Sequence, residues 1–144
     1  MGALKSLVNC LQSDCRLAPA DVRRIFQAAF HAPNLERMPG REANLLTVYG
    51  QYELNVRHDF VSGARLFRRA VTVAPGDAQY RINLINLLLV MGKVPAASRE
   101  LAALRALNRF GTLTDVIAPV ARDVERARRA ETGRKRIAPP TRSP

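Results

Sequence analysis

Tryptophan is absent from this 144-residue chain, and aromatic residues of every kind make up only 6%. Runs of Val, Ile and Thr long enough to build strands are also missing. No apolar stretch approaches the ~20 residues that cross a bilayer as a helix; the longest lies around Leu87–Met91. The N-terminus has no sustained apolar segment before Asp14, so it does not read as a secretory signal. Histidine occurs twice, at His31 and His58, and neither stands at metal-ligand spacing from a cysteine. There is no Gly-rich phosphate loop, no HExxH and no nucleophile elbow. His58 next to Asp59 reads as part of a helix cap rather than a catalytic dyad. Taken together, these absences argue against a membrane span, a metal site, a cofactor and catalysis by the chain itself.

Helix-forming residues are plentiful. Ala, Leu and Arg dominate, and all three favour helix. Hydrophobic residues reach 47%, enough for one folded core. Lys and Arg number 23 against 12 Asp and Glu, a net charge of +11. Such a surplus suits acidic partners, nucleic acid or an anionic membrane, but an Arg-rich composition also follows from a GC-rich genome. The two cysteines, Cys10 and Cys15, are five residues apart. They can form a disulfide only if the segment turns, since i and i+5 do not face each other on a straight helix. In a reducing compartment they are two ordinary thiols.

Breakers divide the chain into helix-length pieces: Pro19, Pro33, Pro39-Gly40, Pro75-Gly76, Gly92, Gly111 and Pro139-Pro140. Leu4, Leu7, Val8 and Leu11 give a short stripe in an N-terminal segment, 1–18. Val22, Ile25, Phe26, Ala29 and Phe30 predict a helix over 20–31. Leu45, Tyr49, Tyr52 and Val56 predict a core face for 41–57, and Ala64, Phe67, Ala70 and Val71 one for 60–74. Tyr80, Leu84, Leu87, Leu88 and Met91 do so for 78–91, and Ala97, Leu101, Leu104 and Leu107 for 95–108. Val116, Val120, Val124 and Ala127 predict a last helix over about 115–130, with Pro119 in its first turns. Short connections make successive helices antiparallel neighbours. The expected fold is all-α, with a helical domain over 19–131 and a basic, unfolded tail over 132–144.

The middle of the chain repeats at 34 residues: Gly63-x-x-x-Phe67 corresponds to Ala97-x-x-x-Leu101, and Asp59-Phe60 to Lys93-Val94. Thirty-four is the period of the tetratricopeptide repeat (TPR). Gly63-Ala64-x-x-Phe67-x-x-Ala70-x-x-x-x-Pro75 resembles the second half of a TPR unit, where small residues let two helices approach and a ring fills the gap. Leu84, Leu88, Gly92, Ala97 and Leu101 fall on the family's positions in a second unit. Departures are the missing Trp, Gly50 only approximately in place, Ile85 where the second glycine belongs, and an A-helix offset of 35. The resemblance covers about 42–110 and implies two antiparallel helix-turn-helix repeats, 42–76 and 77–110, in a short superhelix capped by helices 20–31 and 115–130. It also implies a protein or peptide as partner.

In TPR proteins the first helices of successive units line a groove. Here those helices carry matched amide stripes: Asn44, Gln51 and Asn55 (with Val48), then Gln79, Asn83 and Asn86 (with Val90). Each runs i, i+4, i+7, i+11 and so lies on one helix face. Amides donate and accept together, which suits the backbone of an extended peptide. The competing reading is a solvated face. The basic end carries Arg126, Arg129, Arg134, Lys135 and Arg136 as candidate anion contacts, although no aromatic stands among them to stack a base. The bland alternative is a solvated helix end whose cations favour the dipole. More weakly, the segment from Leu45 to Gly111 is similar to soluble TPR-like tails of bacterial membrane glycan polymerases or glycosyltransferases. That resemblance implies a periplasmic address and oxidised cysteines, whereas a complete chain implies the cytoplasm. Partner identity and oligomeric state are not encoded in these patterns.

Overall fold

The computed structural model describes residues 17–137, and side chains as far as residue 135. The Leu4–Leu11 stripe, Cys10, Cys15 and residues 138–144 lie outside the described residues. The described part is all-helical: α1 (Pro19–Phe30), α2 (Pro39–Asn55), α3 (Phe60–Val73), α4 (Ala78–Val90), α5 (Val94–Leu107) and α6 (Thr114–Ile137). A 3-10 turn at Leu35–Arg37 joins α1 to α2.

The helix starts follow from local chemistry. Pro19, Pro39 and Pro95 stand in the first helical positions, where a missing N–H costs nothing. Asp59 caps α3, its carboxylate accepting from the Ser62 N–H at 2.9 Å. Asp77 accepts from the Gln79 N–H at 2.8 Å and opens α4. At the end of α4 Gly92 turns left-handed (φ 68°), while its own N–H and that of Lys93 satisfy the carbonyls of Leu89 and Leu88.

The chain divides into two compact units, residues 1–84 and 85–144. In the first, α2 is a two-sided helix. One side meets α1: Val22, Phe26 and Tyr52 form a buried cluster with Leu45, Val48 and Tyr49 packed against it. Phe26 stacks on Tyr49 with ring centres 4.2 Å apart. The other side meets α3: Ala43, Leu46 and Ala70 are fully buried, with Phe30, Leu66, Val73 and Tyr80 around them. Gly50 and Gly63 mark the tightest crossing. A Cβ on Gly50 would lie 2.6 Å from a Phe67 ring carbon, and one on Gly63 would lie 2.8 Å from Leu54. Arg69 of α3 sits over the Phe30 ring at 5.9 Å and reaches Glu42 of α2 at 3.9 Å.

In the second unit α5 and α6 pack together. Val94, Ala97, Leu101 and Leu104 are buried on α5, and Ile117, Val120 and Val124 on α6. A small cleft between the two helices is lined by Ser98, Leu101, Arg105, Val124 and Arg128.

Three expectations need adjusting. Val56 is 39% exposed, because α2 ends at Asn55 and the chain has already turned away. Val116 is 47% exposed and Ile117 takes its place, since Ile117, Val120 and Val124 form the i, i+3, i+7 set that faces α5. The last helix runs on to Ile137 rather than stopping near 130. Strong helix formers and a Glu131–Lys135 pair at 3.1 Å carry it past Gly133.

Candidate functional site

The amide stripes lie on the outside of the helices. Asn44, Gln51 and Asn55 on α2 are exposed and make no side-chain hydrogen bond to a described residue. Val48, which shares their spacing, is instead half-buried against the α1 seam. The amide row therefore borders that seam rather than standing clear of it. On α4, Gln79 is exposed and its amide nitrogen donates to Asn83 Oδ1 at 3.0 Å. These two amides partly satisfy one another. Asn86 is exposed further along α4, on the stretch assigned to the second unit. Arg41, in the first turn of α2, is exposed.

Behind the α2 amides lies a polar cluster that sequence periodicity missed. Glu53 is 6% exposed, and its carboxylate pairs with Arg57 one turn on, at 3.2 Å. Burial, then the Glu53 charge, raises the Tyr49 hydroxyl above the ordinary tyrosine range. Burial does the same for Tyr52, with Arg57 pulling the other way. The Tyr52 hydroxyl is buried without a hydrogen-bond partner among the described residues. The signal available in the sequence was the Glu53–Arg57 i, i+4 spacing, which marks a pair but not its burial. The turn beyond is tightly held. His58 adopts a left-handed φ of 53°, and the Asp59 N–H donates to the Glu53 carbonyl at 2.8 Å. The Ser62 backbone N–H holds the Asp59 carboxyl below its usual pKa. His31 lies in the turn after α1, its Nδ1 2.7 Å from the Gln27 carbonyl.

At the basic end part of the charge is locally answered. Arg126 pairs with Asp123 at 3.5 Å, and Arg129 with Glu125 at 3.1 Å. Arg128 also reaches Glu125, at 3.7 Å, and Lys135 reaches Glu131. Of the five candidate anion contacts, Arg126, Arg129 and Lys135 are thus engaged within α6. Arg134 is exposed and unpaired among the described residues, and the Arg136 side chain lies outside them. Such exposed pairs are worth only about 0–1 kcal/mol each, and the eight bases of 122–142 still outnumber its three acids. Open hollows on this helix are lined by Arg122, Glu125, Arg126 and Arg129, and the acid sits among the bases.

No helix is long and apolar enough to cross a membrane among the described residues. Comparison with protein-family models, with curated proteins and with solved structures finds no match to this chain.

Proposed function

We propose that the chain is a protein-interaction module of TPR type, which holds an extended peptide or partner segment along the amide-bearing surface of α2 and the first turns of α4. The observation that carries this reading is the α2–α3 hairpin. Neither Gly50 nor Gly63 has room for a Cβ, with Phe67 against Gly50, and the resemblance to a TPR hairpin calls for small residues and a ring at Gly63 and Phe67 and approximately at Gly50. A hairpin packed this tightly commits its inner residues to structure. Asn44, Gln51 and Asn55 are left outward without a side-chain partner among the described residues, and Gln79 is left outward with its side chain bonded only to Asn83. Phosphate binding on α6 is the weaker alternative, because acids stand among its bases and no aromatic stands there to stack a base. In this reading the chain carries no catalysis of its own.

The test is selection of binders from a random-peptide library on the full chain, followed by titration of the selected peptide. Asn44→Ala with Gln51→Ala should weaken it about tenfold or more, the scale of two lost hydrogen bonds. Gln79→Ala with Asn83→Ala, on the first turns of α4, should act the same way, with helicity unchanged in both variants. Peptides indifferent to all four changes would place the binding surface elsewhere.

A further inference from the structure

The turn between α5 and α6 presents an aromatic ring to solvent by construction. Phe110 is 91% exposed, more than any other large hydrophobic residue described. The turn that carries it is well braced. The Leu113 N–H donates to Asn108 Oδ1 at 2.8 Å, and Asn108 Nδ2 donates to Thr114 Oγ1 at 3.1 Å. The Thr114 hydroxyl donates to the Gly111 carbonyl at 2.8 Å, and Gly111 takes a left-handed φ of 75°. A ring held out by so many bonds is not a core residue that failed to bury. Val116, 47% exposed, adds a second apolar side chain at the start of α6.

Two bases precede the ring in sequence. On α6, Arg126, Arg128, Arg129 and Lys135 reach acids, while Arg122 and Arg134 form no ion pair with a described residue. Arg105, in the last turn of α5, and Arg109, beside Phe110, are exposed and form no ion pair with a described residue. Asp115, the nearby acid, lies in the first turn of α6, where a helix N-terminus favours a carboxylate. The corner therefore combines an exposed ring, an exposed valine and two unanswered guanidinium groups.

We propose that this corner is a peripheral contact for an anionic phospholipid surface. A turn with one exposed ring does not by itself supply the ~800 Å² per partner that a stable protein interface buries. A bilayer surface takes a single ring such as Phe110 at the headgroup–acyl boundary while Arg105 and Arg109 meet the phosphates. One lone aromatic offers no run of stacking platforms for successive bases, which disfavours single-stranded nucleic acid. The contact is reversible, because it has a single apolar anchor.

The test is co-sedimentation of the full chain with vesicles of phosphatidylcholine alone and of phosphatidylcholine mixed with phosphatidylglycerol. Binding is expected only to the mixed vesicles and should weaken as salt rises. Phe110→Ala should lower partitioning about tenfold. Arg105→Gln and Arg109→Gln should each lower it about fivefold. Arg126→Gln with Arg129→Gln, both paired with acids on α6, should cost less than the corner pair. All five positions are exposed, and unchanged circular dichroism verifies the fold of each variant. The proposal is overturned by absence of binding to the mixed vesicles at low salt. Binding that survives both Phe110→Ala and the corner pair also overturns it. So does a single-stranded oligonucleotide that binds more tightly than the vesicles and loses more on Phe110→Ala.

Discussion

Replacing Gly50 by alanine drives a methyl group into the face of α2 that Phe67 already fills. The new Cβ would stand 2.6 and 2.7 Å from two ring carbons, and 3.4 Å from the Gly63 carbonyl oxygen. Carbon atoms prefer about 3.5–4.0 Å, so the overlap is roughly 1 Å. Phe67 is only 4% exposed and has no free space to retreat into. Overpacking of this kind costs about 1–3 kcal/mol, and the severity here places it near the top of that range. Alanine returns up to about 1 kcal/mol through its better helix propensity. The net loss is then about 2 kcal/mol, or about 6–10 °C in Tm for a chain of this size. Gly133 is the internal control. It is helical, and a Cβ there meets nothing within 4 Å. Gly133→Ala should therefore raise stability, by about 0.5–1 kcal/mol. Urea and thermal unfolding followed by far-ultraviolet circular dichroism measure both. Adding Phe67→Leu to Gly50→Ala should recover part of the loss, giving a coupling energy of about 1 kcal/mol in a double-mutant cycle. If the two glycine changes shift stability in the same direction, close packing of α2 against α3 is not what holds Gly50.

Tyr52→Phe removes a buried hydroxyl that has no described partner, so stability should hold or rise by about 1 kcal/mol in urea unfolding. A loss of that size would mean the hydroxyl is bonded after all. The Asp59 carboxyl has a folded pKa below its unfolded value of about 3.9, because the Ser62 N–H favours the charged form. Its contribution is thus complete above the unfolded pKa and is lost as pH falls through the folded one. Asp59→Asn, which keeps an acceptor, should flatten the acid side of the Tm–pH curve. Asp59→Ala should lower Tm at neutral pH, and an unchanged Tm there would remove the cap from the account.

Much of the fold was legible because punctuation and periodicity act locally. Pro19, Pro39, Pro75, Pro95 and Gly92 set helix ends within a residue or two of those expected. The faces of α3 and α5 were also readable, because each buries one stripe. Helix α2 was harder. The pattern Leu45, Tyr49, Tyr52 described only the side toward α1. On the side toward α3, Ala43 and Gly50 are small residues whose weak apolar signal hides their burial, and Leu46 stands off the period of the aromatic stripe. Of the candidate site, the exposed amides were placed correctly on helix surfaces, but nothing local showed that Val48 among them turns inward.

Local sequence dictated that the described residues are helical, where the helices start, where all but the last of them stop, and which amides share a face. Propensity, capping and a 3.6-residue period are properties of near neighbours, so near neighbours suffice to read them. What needed the packed structure is that a Cβ on Gly50 would collide with Phe67, that Glu53 is buried, and that Arg126, Arg128 and Arg129 reach acids while Arg105 and Arg109 do not. Those outcomes depend on helix packing, on how each turn aims its side chains, and on which ion pairs form, and hydrophobic periodicity carries none of these.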